Sequence, residues 1–250
     1  DFKGWFTMGD GVRCEPLTVC DRYSRYVVGC KGQFNQQFNT TLRSCKKLMR
    51  YHGLPDIIRV DNGTPFASVA LGGLSQLSVW WIEQGICVEF IRPASPQENG
   101  SHERMHRDLK AEVASRPAPN MRAQQKRFDR WRDEYNHDRP HEALDMLRPA
   151  EIYKGSAKRL GEKDQIRYPE GYEVKRVSSS GHLSHRGSNF YMSEIYAGCR
   201  VGLLENSDGI TELHYANLHL GNLEFDGKDA WRPKALVIKP TEEPRASKPK

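Results

Sequence analysis

Glu103 stands among potential cations. On a helix, positions 103, 106, 107 and 110 share one face, which groups its carboxylate with His106, Arg107 and Lys110. Met105, Leu109 and Val113 fall roughly opposite and read as an apolar stripe. One side of this helix is expected to pack on a core, the other to present an acid beside basic groups. The plain alternative is a solvated face laced with i,i+4 pairs such as Glu103 with Arg107. A second acid, Asp61, ends the short apolar run DIIRV and precedes Asn62 and Gly63. That pattern suits a buried strand delivering a carboxylate at its C-terminal end, where open α/β sheets place ligands. An Asx-turn is the rival account. An acid on the first strand would make three, and Asp1, Asp10 and Asp21 are the candidates. Three hard oxygen donors with no cysteine partner suit Mg²⁺ or Mn²⁺ better than zinc. Two such ions about 4 Å apart clamp the attacking and leaving oxygens of an in-line phosphoryl displacement. The cations beside Glu103 would then hold nucleic-acid phosphates.

The elements that must position these acids follow from pattern. DFKGWFTM alternates loosely and predicts a strand, GDG at 9–11 a hairpin turn, and VRCEPLTVCD and RYVVGCKG two further strands. Helical spacing runs over 39–52, with Asn39 or Thr40 as N-cap and Gly53 as the stop. Residues 56–63 predict the strand that ends at Asp61, 72–84 a helix, and 87–93 another strand. Ser95, Pro96 and Glu98 can begin the helix of Glu103 as a capping box. A last helix over 121–136 carries its packing face on Phe128, Trp131 and Tyr135. Strands first, then strands alternating with helices, predict a mixed α/β sheet covered by helices. After about residue 155 the character changes to polar linker, then to short β runs broken by glycine. Residues 232–250 are rich in Lys, Arg and Pro and are expected to form a disordered basic tail.

The 250 residues carry a net charge of +6, which fits a polyanionic partner but equally a mildly basic enzyme. No apolar run approaches a membrane span and no basic-then-apolar leader is present, so no membrane partner and a cytoplasmic setting are expected. Six cysteines without C-x-x-C spacing read as buried free thiols. His102, His106, His137 and His141 flank helical segments without the spacing of a zinc site.

The stretches DFKG, PLTVCDRYSRY, RVDNGTPF, RPASPQENGSHERMHRDLK and WRDEYNHDRPHEAL occur in this order. Together they resemble the integrase catalytic core of bacterial insertion-sequence transposases, kin to retroviral integrases, over roughly residues 1–153. The resemblance implies a ribonuclease-H-like fold with a D, D, E triad that holds two Mg²⁺ (or Mn²⁺) ions. It assigns the triad to Asp1, Asp61 and Glu103 and leaves structural roles for Asp10 and Asp21. Lys110 matches a basic position facing the DNA end. Asn62 and Gly63 would shape the active-site turn, and Gln97 and Asn99 the loop near the DNA terminus. His106 and Arg107 complete the candidate DNA contacts.

The implied domains are a catalytic core over 1–154 with a truncated first strand, a linker over 155–170, a small β-barrel domain over 171–230 and a basic tail over 231–250. In that second domain, Lys175, Arg176, His182, His185 and Arg186 could meet DNA backbone. The implied activity is cleavage at transposon 3′ ends and strand transfer into double-stranded target DNA by a homo-oligomer. A truncated, inactive DNA-binding remnant and a ribonuclease-H-like nuclease that cuts without joining are the alternatives. Because the family's first strand starts before Asp1 and helix-turn-helix domains usually precede it, the sequence is expected to be a fragment.

Overall fold

A computed structural model of the protein describes residues 1–92, 100–161 and 166–223. The expected capping box at 95–98, the loop residues Gln97 and Asn99, and the basic tail lie outside these residues. The protein is a mixed α/β chain that divides into two compact units. The first comprises Asp1–Ser68 and Ser75–Gln165, the second Val69–Leu74 and Ile166–Lys250.

In the first unit, β1 (Phe6–Thr7), β2 (Arg13–Cys20) and β3 (Val27–Gln33) form an antiparallel sheet in that order. A second pair, β4 (Ile57–Val60) and β5 (Cys87–Phe90), runs parallel. The strand expected over residues 1–8 is thus only partly formed. Phe2 bridges Leu17 of β2, but Gly4 at φ +89° turns the chain out of extended geometry before Phe6–Thr7 resumes the pairing.

Helix α1 (Phe38–His52) precedes β4, and α2 (Gln76–Glu83) precedes β5. Ser75 caps α2 by accepting from the Ser78 N–H, so the helix begins later than residue 72. Helix α3 (Gly100–Leu109) continues into a π-helical turn, Lys110–Ala114, closed by Ser115 N–H donating to the Lys110 carbonyl at 2.9 Å. The chain then enters α4 (Met121–His137) and the single turn α5 (Pro149–Ile152).

The first unit's core forms where α3 and α4 cover β2 and β3. Met105, Leu109 and Val113 are buried with Phe128, Trp131 and Tyr135 against Cys14, Val27 and Cys30. Such side chains contribute about 1.5–3 kcal/mol each when fully buried. All six cysteines are free thiols, and burial pushes Cys14, Cys20 and Cys45 up to about 12, which leaves them inert. Polar clips fix the register of α4. The buried Asn136 side chain accepts from the Val27 N–H at 2.8 Å and donates to the Val27 carbonyl at 3.0 Å.

The second unit contains a four-stranded antiparallel sheet ordered β11-β10-β9-β6 and a hairpin of β7 and β8. Its strands are β6 (Glu173–Arg176), β7 (His182–His185), β8 (Ser188–Tyr191), β9 (Arg200–Glu205), β10 (Thr211–Tyr215) and β11 (Leu218–Leu223). Val69–Leu74 belongs to this unit although the chain on both sides belongs to the other. Tyr196 donates its hydroxyl to the Leu71 carbonyl, and Gly72, at φ +69°, lies so close to Leu220 that a Cβ there would meet its Cδ2 at 2.6 Å. Among the described residues, no helix is long and apolar enough to cross a membrane.

Candidate active site

Thr18, near the end of β2, is the hub of the site. It is fully buried. Its backbone N–H donates to the Asp1 carbonyl at 2.8 Å, and its hydroxyl donates to the same oxygen at 3.0 Å. The same hydroxyl meets His102 Nε2 at 2.8 Å and His106 Nε2 at 2.6 Å. A hydroxyl has one hydrogen and two lone pairs, so with its hydrogen on Asp1 both imidazoles must donate to it from Nε2. Burial holds His102 well below the ordinary imidazole range and His106 down to about 3. Both rings are therefore neutral, and His106 Nδ1 carries a lone pair. That atom lies 4.0 Å from Asp1 Oδ2, so the Asp1 carboxylate and both imidazoles form one cluster.

His106 is thus not on the face with Arg107 where spacing had put it. At 6% exposure it closes the edge of the buried stripe. Its helical angle falls between Val113 and Lys110, a boundary position, and the hydroxyl of Thr18 decided the side. His102 and Glu103 also complete H-E-x-x-H, the spacing of zinc-protease helices. Here both Nε2 atoms donate to Thr18. The i,i+4 spacing of the two histidines was the available signal that they share a turn.

Asp61 follows β4. Its Oδ1 accepts from the Gly63 N–H at 3.1 Å, the Asx-turn that its sequence context allowed. Asn62 donates its amide to the Ile91 carbonyl at 2.8 Å and so ties the end of β4 to the chain leaving β5. Glu103, Arg107 and Lys110 are exposed on the outer side of α3 and its π turn. Among the described residues, the carboxylates of Asp1, Asp61 and Glu103 do not close on one another as Asp1 does with the two histidines. Asp10 and Asp21 serve turns. Asp10 accepts from the Val12 N–H at 3.0 Å, and Asp21 accepts from the Ser24 N–H and hydroxyl at 2.8 and 2.6 Å.

Behind the site, Glu112 accepts from Trp131 Nε1 at 3.0 Å and from Arg139 Nη1 at 2.8 Å. The Arg139 guanidinium holds the Glu112 carboxyl below its usual range. Tyr135 packs edge-on against His141 at 4.9 Å. In the second unit, Lys175 and His185 pair with Glu173 at 3.1 and 3.3 Å, and Arg186 pairs with Glu205. Three of the five candidate backbone contacts are therefore engaged with carboxylates of the same unit, Lys175 within its own strand and His185 and Arg186 across to the four-stranded sheet.

Residues 84–149 match the integrase core domain, the stretch that carries β5, α3 and α4 and ends at the first residue of α5. The match falls within the stretch whose ordered motifs resemble integrase-core transposases of insertion sequences. Among curated proteins it is similar to the insertion element IS407 uncharacterized 31.7 kDa protein of Burkholderia multivorans, 26% identical over 146 residues. That alignment takes in 58% of this chain and 50% of the relative, so it spans about half of that protein's length. Among solved structures it is similar in fold to a chain in the cryoEM structure of the simian T-cell lymphotropic virus intasome in complex with PP2A regulatory subunit B56 gamma. The TM-score is 0.50 at 14% identity, covering 89% of this chain and 77% of that one.

Proposed function

We propose that the protein is a metal-dependent DNA transposase that cleaves DNA at transposon 3′ ends and joins the freed 3′-hydroxyl to target DNA. Its first unit would be a ribonuclease-H-like core. The observation that carries this is the seating of α3 inside the matched stretch. Its His102 and His106 side rests on Thr18 beside Asp1, and Glu103, Arg107 and Lys110 are exposed on the adjoining face.

Integrase-core proteins as a family act with divalent metals. The donor set suits them, because Asp1, Asp61 and Glu103 offer only carboxylate oxygens, the ligands of Mg²⁺ and Mn²⁺. Bound there, two ions would supply activation of the attacking oxygen and neutralisation of the leaving one. Asp1 and Asp61 would hold them from the strand side and Glu103 from the helix. Arg107 and Lys110 would neutralise DNA phosphates alongside. Thr18, His102 and His106 would orient α3 relative to Asp1 without touching DNA. Transposon ends come in pairs, so the protein would work as a homo-oligomer on double-stranded DNA.

The test is Mn²⁺-dependent cleavage and joining of a labelled duplex, with a precut 3′ end as a separate substrate. Glu103→Gln and Asp61→Asn are each expected to lower both reactions by about 10³-fold or more, the scale of losing a principal charge-stabilising group. Activity that survives Glu103→Gln unchanged would return α3 to a solvated, salt-bridged face. Cleavage without joining of the precut end would mark a nuclease instead.

A further inference from the structure

The second unit carries a group of metal-ligating side chains that the proposed transposase chemistry does not use. Glu212 and His214 alternate on β10, so they share a face, while Thr211, Leu213 and Tyr215 are buried on the other. The strand pairing then changes register. Leu213 pairs with Gly221, but His214 pairs with His219, because a bulge on β11 takes up Leu220. In an unbroken ladder His214 would oppose Leu220, which is fully buried. The bulge turns that leucine into the core and brings a second imidazole onto the outer face.

Glu212, His214 and His219 consequently each offer a ligand atom, all within 4.8 Å of one another. His214 Nε2 lies 3.1 Å from Glu212 Oε2. Two ligands of a tetrahedral zinc ion with bonds of about 2.0–2.1 Å lie about 3.3 Å apart, so this pair needs almost no movement. The outer partners are also in place. Asn206 donates its amide to Glu212 Oε1 at 3.4 Å, the oxygen that does not face His214. His219 donates Nε2–H to Asn222 Oδ1 at 3.0 Å, which leaves the lone pair on Nδ1. Tyr172 packs edge-on against the His214 ring at 5.3 Å. Ligands held by a second group in this way are the arrangement that fixes tautomer and orientation in metal sites.

We propose that Glu212, His214 and His219 bind one divalent ion of the zinc class, which clips β10 to β11 at the bulge. Two imidazoles and one carboxylate favour Zn²⁺, Co²⁺ or Ni²⁺ over Mg²⁺. The ion takes the place of the hydrogen between His214 Nε2 and Glu212 Oε2. The site belongs to the second unit and does not depend on the transposase proposal.

The experiment is Co²⁺ and Zn²⁺ binding to the full chain without an affinity tag, read by Co²⁺ visible absorption, by equilibrium dialysis and by Tm. One equivalent is expected at micromolar metal, with tetrahedral Co²⁺ bands and a rise in Tm on adding Zn²⁺. His219→Ala and Glu212→Gln should abolish the bands and the Tm rise, while Asp61→Asn keeps both. His219→Gln, which preserves side-chain bulk, guards against misfolding and should behave like His219→Ala. Absence of binding at micromolar metal, or binding unchanged in both His219 variants and in Glu212→Gln, overturns the assignment.

Discussion

Among the described residues the same donor set, one carboxylate and two imidazoles, occurs twice, in opposite surroundings. Around Asp1, both imidazoles are built into the fold through Thr18, and burial keeps them neutral. Around Glu212, the groups lie on the outer face of a sheet, His219 is exposed, and the contacts are to neighbouring side chains. The donor types do not determine the role. What the other ring nitrogen already bonds to, and whether water can reach the ring, does.

The contrast breaks most readily at Thr18. Thr18→Val keeps the shape but leaves two imidazole N–H groups without their acceptor, a loss expected to cost about 3 kcal/mol. Urea unfolding measures it; a cost below about 1 kcal/mol would mean that the histidines are not part of the fold's framework. Asn136→Ala should cost a similar amount, about 2–3 kcal/mol, because it strips partners from both backbone groups of Val27.

Acid sharpens the comparison next. Unfolded histidine binds a proton below about 6.5, whereas His106 resists to about 3 when folded. In that window the unfolded chain holds more protons, so stability is complete above the window and falls as pH drops through it. The slope is up to about 1.4 kcal/mol per pH unit for one such group. His106→Gln should flatten the pH dependence of Tm between these limits, and an unchanged profile would contradict a buried neutral ring. The smallest effect belongs to the other cluster. Without metal, His219→Ala should change stability by no more than about 0.5 kcal/mol, as surface substitutions do.

Much of the first unit was legible because its periodicity is strong. Met105, Leu109 and Val113 announce the buried side of α3, and Phe128, Trp131 and Tyr135 that of α4. Boundaries were less so: α2 starts at Gln76 because Ser75 and Ser78 cap each other, a local bond that hydrophobic spacing does not contain. β7 and β11 lack a marked apolar run, HLSH being half polar and LHLGNL carrying a bulge, so local pattern does not mark them as strands. At the site, carboxylates at element ends were visible from type and position. The Asp1–Thr18–His pairing was not, because it joins residues 84 and 88 positions apart through one hydroxyl. The clip from Asn136 to Val27 spans 109 positions and is equally invisible to local pattern.

The excursion of Val69–Leu74 has a consequence for synthesis. Leu71 leaves the ribosome long before Tyr196, its hydrogen-bond partner 125 positions later, and Leu220 follows later still. At the usual ~5–20 residues per second, the segment waits several seconds for the strands it belongs to. The second unit is therefore completed by a segment made long before its strands, and a chain cut at residue 165 would release a second unit that lacks a piece of itself.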